Sequence, residues 1–296
     1  MSATIQECVI ISGKGGTGKT SVTASFAALS AGRAVLADCD VDAADLHLVL
    51  TPKIVESTDF RSGYEAVIRS ETCTGCGTCA DLCRFDAIHY VKRPFGKTLY
   101  EVDPVACEGC GVCVRFCPAK AIDFPERLCG VWMLSETRCG PMVHARLGAA
   151  AENSGKLVAT VRQEARRVAA ERGLPLIITD GPPGIGCPVI ASVTGADRVL
   201  VVTEPTVSGE HDLARVLQLA RHFEVPTFVC VNKWDINPAM TERIEQAALK
   251  AGATVAGRIR YDRAVTAAQR AEQAVVETDA PSAEDVRNVW RQMGFE

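Results

Sequence analysis

Residues 12–20, SGKGGTGKT, constrain the fold of this chain more than any other segment. They follow a β-branched apolar run, ECVIIS, and precede a helical pattern at 20–31. In the pattern GxxxxGK[ST], glycines let the loop close tightly, and backbone N–H groups at the start of the next helix cradle phosphate. Such a loop needs a strand before it and a helix after it. The segment therefore predicts an α/β fold with a phosphate site at one edge of the sheet.

Short apolar strands and helical patterns alternate along most of the chain. Strands that are apolar along their whole length are buried on both faces, as in a parallel sheet covered by helices. Ser208 and Asn237 are predicted N-caps, and Ser282 with Asp285 is predicted to form a capping box at the last helix. We predict a doubly wound, mostly parallel α/β sheet. Its strands are expected at 7–12, 33–40, 175–183, 197–205 and 226–235, and its helices at 20–31, 155–172, 209–223 and 239–251.

A cysteine-rich segment interrupts this alternation and is an internal duplication. ETCTGCGTCADLCRFDAIHY (71–90) aligns with VACEGCGVCVRFCPAKAIDF (105–124) at all four Cys and both Gly. This spacing is typical of two [4Fe–4S] clusters, in which the fourth Cys of each run ligates the other cluster. Paired CxxC units also bind zinc, which is the alternative. The predicted ligands are Cys73, Cys76, Cys79 and Cys117 for cluster one, and Cys107, Cys110, Cys113 and Cys83 for cluster two.

These runs resemble the bacterial two-cluster ferredoxins. The resemblance implies a small α+β ferredoxin-like domain, which we place at 58–127 as an insertion between two parts of the α/β domain, 1–57 and 128–296. The first run ends Cys83-Arg84, where the family usually has Pro. The positive charge of Arg84 is expected to raise the potential of cluster two.

The early lysine of the glycine loop, Lys14 in Gly-Lys-Gly-Gly, resembles the deviant Walker A motif of MinD/ParA-superfamily P-loop ATPases. The resemblance covers nearly all of the chain outside the insert. It implies an ATP hydrolase in which Lys14 reaches the partner's nucleotide across a homodimer interface; a solvated surface lysine is the alternative. Lys19 is expected to meet the β- and γ-phosphates, and Thr20 to ligate Mg²⁺. The other predicted nucleotide-binding residues of the loop are Gly13, Gly15, Gly16, Thr17, Gly18 and Ser21.

Two acidic segments resemble the switch regions of that family. In LADCDVDAADLHLVL, the resemblance assigns Asp40 to orient the attacking water and Asp38 to assist through the Mg²⁺ shell. For Asp42 and Asp45, a site role and a solvated acidic loop stay equally open. The strand LIITD ends in Asp180. A carboxylate at the carboxyl end of a parallel strand lies where open α/β sheets bind ligands, so Asp180 is expected to hold Mg²⁺ through water.

The nucleotide base is predicted from two later segments. Asn232 and Asp235 form NKxD, a motif whose carboxylate reads guanine in GTPases. The MinD-like family also places Asn at this point, and GRIRYD resembles its Gly-x-Ile-Pro-Tyr-Asp segment beside adenine, which implicates Tyr261. Arg260 replaces the Pro of that segment. The resemblance favours ATP over GTP.

Three further cysteines are candidates for metal binding or thiol chemistry. Cys187 follows Asp180 by seven residues, as does a ligand of the cluster shared between subunits of the nitrogenase iron protein. A small buried thiol is the alternative for Cys187. Cys129 and Cys139 lie in or beside a predicted β-hairpin and are either a metal or thiol pair or structural thiols.

Composition excludes some partners. The formal net charge is −4 and no block of Lys and Arg is present, so nucleic acid is not expected as a partner. No apolar run approaches the roughly 20 residues that span a bilayer. The sequence lacks the pattern of a signal peptide. We therefore expect a cytoplasmic protein that does not engage membranes.

Together these patterns predict an iron–sulfur ATPase. The first hypothesis is that MgATP binding and hydrolysis switch a homodimer, or a dimer with a paralogue, and couple this to electron transfer with a redox partner. The alternative is an iron–sulfur carrier or assembly ATPase of the Mrp type, acting on a metallocofactor client protein. A positioning ATPase of the MinD type, with clusters as structure only, is a third reading.

Overall fold

The computed structural model describes residues 4–92, 98–148 and 154–295. Internal contacts divide these residues into two compact units. The larger unit comprises 4–58, 131–147 and 154–295, and the smaller unit comprises 59–130 with Gly148. The expected insert was 58–127, so the observed division falls close to both of its ends.

Helices and strands alternate in the larger unit, whereas the smaller unit contains short elements. None of the helices in the described ranges has the length and apolar composition needed to cross a membrane. The strands are β1 (Gln6–Ser12), β2 (Ala34–Asp38), β3 (Lys53–Tyr64), β4 (Val67–Ile68), β5 (Ile88–Lys92), β6 (Thr98–Val102), β7 (Ile122–Asp123), β8 (Glu126–Thr137), β9 (Gly140–Leu147), β10 (Leu176–Pro183), β11 (Arg198–Thr203), β12 (Thr227–Asn232) and β13 (Thr254–Ile259). The helices are α1 (Lys19–Leu29), α2 (Leu46–Leu50), α3 (Thr78–Asp81), α4 (Val112–Phe116), α5 (Ser154–Arg172), α6 (Cys187–Val193), α7 (Val207–His222), α8 (Pro238–Lys250), α9 (Arg263–Arg270) and α10 (Pro281–Gln292), with 3₁₀ turns at Trp234–Ile236 and Val275–Glu277.

The main sheet has the order β13-β12-β11-β1-β10-β2-β9-β8-β3 within the described residues. The pairings from β13 to β9 are parallel. The sequence runs outward from β1 in both directions, which confirms the predicted doubly wound, mostly parallel sheet. The predicted hairpin is also present, as β8 and β9.

Two apolar cores cover the two faces of this sheet. Along β1, Cys8 and Ile10 belong to one core, and Val9 and Ile11 belong to the other, because successive side chains of a strand point to opposite faces. The first core is covered by α1, α2 and α10, and the second by α6, α7 and α8. Burial on both faces explains why these strands are apolar throughout.

Helix starts correct two of the three predicted caps. Asn237 caps α8, since its side chain accepts from Met240 N at 3.1 Å, as predicted. The cap of α7 is Thr206, which accepts from Gly209 N at 3.0 Å, so Ser208 is wrong. The capping box at Ser282 is also wrong: α10 begins at Pro281, and the Ser282 hydroxyl donates to Asp262 at 2.8 Å instead.

The smaller unit carries the sequence duplication into its strand pairing. Each copy supplies a strand, a short helix and a strand, as β4-α3-β5 and β6-α4-β7. The pairing is crosswise: β4 pairs with β7, and β5 pairs with β6, both antiparallel. The first strand of each copy therefore lies beside the last strand of the other.

Candidate functional site

The glycine loop joins β1 to α1 through backbone conformations that favour glycine. Gly18 has φ 92°, and a Cβ there would collide with the amide of Asn232. Gly13 packs against Asp212 of α7, where a Cβ would lie 2.5 Å from the Asp212 Cβ. No side chain caps the start of α1. The first N–H groups of this helix are thus free of a side-chain acceptor, which suits an anion.

Lys19 and Thr20 converge on one buried carboxylate. The Lys19 Nζ lies 2.8 Å from Asp180 Oδ1, and the Thr20 hydroxyl donates to Asp180 Oδ2 at 2.9 Å. Thr23, one turn further along α1, donates to Asp180 Oδ1 at 2.8 Å. Burial opposes the charge of Lys19, but the carboxylates of Asp180 and Asp40 outweigh it and raise the pKa of Lys19. Lys19 is therefore held as a cation at the loop.

Two more carboxylates lie at the same edge of the sheet. Asp38, the last residue of β2, is the register partner of Asp180 on β10. Asp40 lies two residues further on, with its Oδ2 3.4 Å from the Lys19 Nζ. Burial and the charge of Asp180 raise the pKa of Asp38 well above its usual value. Burial also raises the pKa of Asp40, although Lys19 opposes that rise.

Orphaned polar atoms indicate that this group of carboxylates fits a cation. Asp38 Oδ2 and the Thr17 hydroxyl are buried without a hydrogen-bond partner. Buried polar atoms are nearly always paired in folded proteins, and oxygen ligands suit Mg²⁺. Asp38, Asp180 and Thr20, the residues predicted to hold Mg²⁺, thus supply a donor set of the right chemistry.

A cavity of about 570 Å³ opens over the loop. Gln269 of α9 donates to the Ser21 hydroxyl at 2.8 Å, which ties α9 to the loop. Sequence reasoning missed α2 and α9 as walls, because neither element carries a local motif. The lining residues are Ser12, Gly15, Gly16, Thr17, Gly18, Lys19, Thr20, Ser21, Asp40, Ala43, Asp45, Leu48, Val49, Pro183, Thr266, Gln269 and Arg270.

The predicted base-binding residues lie outside the lining of this cavity. The Asn232 amide donates to Thr17 O at 2.7 Å, so it fixes the loop. Asp235 accepts from the backbone N–H of Tyr261 at 2.7 Å, and the Tyr261 ring is about half exposed, at 52%. Asp235 and Tyr261 are therefore adjacent to each other, as the two motifs suggested.

Lys14 turns away from the cavity. Its Nζ lies 2.5 Å from Glu204 Oε1 and donates to the Ser208 hydroxyl at 3.0 Å. Glu204 follows β11, and its second oxygen lies 3.2 Å from the Lys233 Nζ. No sequence motif marked Glu204.

In the smaller unit, four thiols line one pocket. They are Cys73, Cys76 and Cys79 of the first run and Cys117 of the second. The crosswise strand pairing brings Cys117 to the first run, since it precedes β7, which pairs with β4. This set is the one predicted for cluster one.

The remaining thiols of the two runs surround the same small core. Cys83, Cys107 and Cys113 pack against Ala66, Cys79, Ile88 and Ile122. Cys110 is exposed, and Cys76 is exposed in the first run. The Cys113 thiol interacts electrostatically with Cys107 and Cys110. Among the described residues, no three His, Cys, Asp or Glu side chains converge as a preformed metal site.

The other candidate residues separate from these sites. Cys187 is exposed at the start of α6, Cys129 is buried and donates to Ser62 O at 3.1 Å, and Cys139 packs in the first core. Asp45 lines the nucleotide cavity, whereas Asp42 lines a second cavity.

Comparison with known proteins agrees with this geometry. A relative, protein MJ0578 of Methanocaldococcus jannaschii, is 37% identical over 238 residues, which cover 79% of this chain and 80% of the relative. A chain of the MinC:MinD cell division protein complex of Aquifex aeolicus has a TM-score of 0.59 at 17% identity and covers 98% of this chain and 96% of that chain.

The septum site-determining protein MinD of Pyrococcus horikoshii, complexed with Mg-ADP, has a TM-score of 0.58 at 15% identity, with coverage of 98% and 96%. Likeness at this identity shows the fold alone. The family model described as the CobQ/CobB/MinD/ParA nucleotide binding domain matches residues 8–275, most of the chain. The chain therefore belongs to the CobQ/CobB/MinD/ParA family of nucleotide-binding domains.

Proposed function

We propose that this protein is a MgATP-dependent ATPase in which nucleotide-driven switching of a dimer is coupled to electron transfer through two [4Fe–4S] clusters. One observation carries the proposal: a chain of this nucleotide-binding family also gathers four cysteines from two separate sequence runs into one pocket. Zinc sites of the CxxC type use neighbouring pairs, whereas cross-ligation between duplicated runs is typical of two-cluster ferredoxins.

Nucleotide binding would exchange the partners of Lys19. Lys19 now pairs with Asp180 at 2.8 Å. Phosphate oxygens at the N-terminus of α1 would draw Lys19 to the β- and γ-phosphates and free Asp180 to hold a water of the Mg²⁺ shell. Thr20 would then ligate Mg²⁺ directly, with Asp38 in the surrounding shell.

Hydrolysis would depend on Asp40 and on a second copy of the chain. Asp40 lines the nucleotide cavity and would orient the attacking water. Lys14 would reach the nucleotide of the partner and neutralise charge on the phosphates as it transfers. We propose ATP as the nucleotide and a homodimer as the working unit. Asn232 would act by holding the loop at Thr17, with Asp235 and Tyr261 beside it at the base.

The duplicated runs would hold the clusters. Cys73, Cys76, Cys79 and Cys117 form one ligand set, and Cys107, Cys110, Cys113 and Cys83 form the other. Bound clusters would supply one-electron chemistry. The positive-φ glycines at 75, 77, 109 and 111 let the chain turn closely around each set. The small apolar core at Ile88 and Ile122 would limit water around the thiolates, which tunes cluster potential.

The test is an anaerobic redox titration with and without MgATP. The proposal expects about eight irons per chain and a cluster midpoint potential or EPR signal that shifts when MgATP is added. Lys14→Ala should bind nucleotide but lose the shift, because it separates binding from dimer closure. A colourless anaerobic protein without inorganic sulfide would exclude the iron–sulfur proposal. Unchanged potentials with full iron would exclude the coupling.

A carrier or assembly ATPase of the Mrp type is the second candidate, and exposed thiols favour it. Cys76 and Cys110, one from each predicted ligand set, are exposed. A cluster held by an exposed thiol is open to thiolate exchange with a client protein. Incubation with an apo-ferredoxin separates the candidates: transfer of iron to the acceptor supports a carrier, and retention of iron through ATP turnover supports electron transfer.

A further inference from the structure

We propose that Glu204 is a positioning residue that holds Lys14 within its own chain, in a contact that must open before Lys14 reaches the nucleotide of a second copy. This inference rests on the proposed nucleotide-dependent dimer. Glu204 lies outside the glycine loop, in the connection between β11 and α7. It would therefore set how readily the dimer closes without touching the reacting phosphate.

The contact uses two of the three donors of the Lys14 ammonium. Its Nζ lies 2.5 Å from Glu204 Oε1 and 3.0 Å from the Ser208 hydroxyl. Ser208 is itself 3.2 Å from the hydroxyl of Thr206, the N-cap of α7. A lysine held by a carboxylate and a hydroxyl that are fixed at one helix start cannot also extend to another molecule. The two states of Lys14 are mutually exclusive.

Partial burial strengthens the contact. The side chains of Glu204 and Lys14 are 16% and 31% exposed, so solvent screens the pair less than it screens a surface ion pair. Burial alone would raise the pKa of Glu204, but hydrogen bonds from Lys14 and Lys233 outweigh it and lower that pKa. Glu204 therefore stays charged and able to hold a lysine at neutral pH.

A second lysine makes the release of Lys14 reversible. Lys233 Nζ lies 3.2 Å from Glu204 Oε2 and also donates to Gly16 O in the loop at 3.3 Å. When Lys14 leaves, Glu204 keeps this partner, so its partly buried charge is not left unpaired. Lys233 also keeps Glu204 beside the loop, ready to take Lys14 back after the dimer opens.

Sedimentation velocity across a range of protein concentration, with Mg²⁺ and a non-hydrolysable ATP analogue, tests the proposal. Glu204→Gln should dimerise at about tenfold lower protein concentration than the wild type, because a neutral amide holds Lys14 less strongly. Glu210→Gln is the matched control: it removes a carboxylate from the same helix start, and its partner is Arg243 at 2.7 Å. The control should dimerise as the wild type does.

Two further measurements keep the test specific. Acylation of lysines by a water-soluble succinimidyl ester, read by mass spectrometry on the monomer without nucleotide, should label Lys14 faster in Glu204→Gln than in Glu210→Gln. Ser208→Ala should shift dimerisation in the same direction by less. The double variant Lys14→Ala with Glu204→Gln should behave as Lys14→Ala alone, because the carboxylate acts only through that lysine.

The outcomes separate the two proposals. A wild type that dimerises, with a Glu204→Gln variant that needs the same or a higher concentration, overturns the role of Glu204 and leaves the dimer standing. Failure of both proteins to dimerise overturns the dimer and this inference together. Dimerisation of the variant alone supports the inference.

Discussion

Asp40 and Asp42 are two residues apart in the chain but line different cavities. Asp40 lines the cavity over the glycine loop and lies 3.4 Å from the Lys19 Nζ, whereas Asp42 lines a cavity with His47 and His144. Sequence alone ranked Asp40 above Asp42 by family resemblance. The folded chain separates them by where their side chains lie.

Replacing Asp40 by Asn should lower ATP hydrolysis by about a hundredfold or more, the usual contribution of a group that accepts or orients a proton in the transition state. Nucleotide binding should stay within a few-fold of the wild type, since the loop and Asp180 are unchanged. Steady-state phosphate release and binding of a fluorescent ATP analogue measure the two effects. Asp42→Asn is the control and should hydrolyse ATP at the wild-type rate. Equal losses in both variants would show that Asp40 has no special role.

At the scale of elements, a buried ion network fixes α5 to the sheet. Glu7 of β1 is buried, and its carboxylate accepts from Arg162 at 2.6 and 2.8 Å and from Arg166 at 2.7 Å. Arg162 also donates to Ala191 O and Thr194 O, at the carboxyl end of α6. One carboxylate thus connects a central strand with two helices. Glu7 is the acidic residue at the head of an apolar strand, a signal that sequence reasoning passed over.

Glu7→Ala should lower the free energy of unfolding by about 3–5 kcal/mol, because Arg162 is left buried without its counter-charge. Urea unfolding followed by circular dichroism measures this loss. Glu164→Ala removes a carboxylate that pairs with the half-exposed Arg167 on the outer face of α5. That control should lose less than about 1 kcal/mol, as exposed pairs do. A similar loss in both variants would mean that the network contributes no more than a surface pair.

At the scale of the whole molecule, the chain carries two compact units with different logic. The larger unit alternates strands and helices around two cores, and each core takes every second residue of the shared strands. The smaller unit is a duplication whose copies exchange strands, with β4 on β7 and β5 on β6. That exchange puts Cys117 into the pocket of the first run.

Cys117→Ala and Cys83→Ala test this exchange as a pair. If each removes the fourth ligand of the other run's cluster, each should reduce the iron content by up to about four atoms, and the two should lose different EPR signals. Cys187→Ala, on an exposed thiol of the larger unit, should keep both signals. Iron analysis and EPR on anaerobic protein measure all three. Loss of the same signal in both variants would contradict cross-ligation.

The sequence by itself determined the family fold, the glycine loop and the grouping of the thiols. The loop states its own backbone geometry through Gly18 and its chemistry through Lys19, and apolar strands report burial on both faces. These are local or periodic signals, which any chain with the same pattern would share.

Only the tertiary structure decided which distant side chains meet. Nothing near Glu204 in the sequence predicts that it holds Lys14, and nothing near Gln269 predicts that it reaches Ser21. Thr206 rather than Ser208 caps α7 because the last turn of the connection from β11, and not residue type, sets where helical geometry begins. Such contacts follow from the order of strands in the sheet, which brings together residues that no local pattern relates.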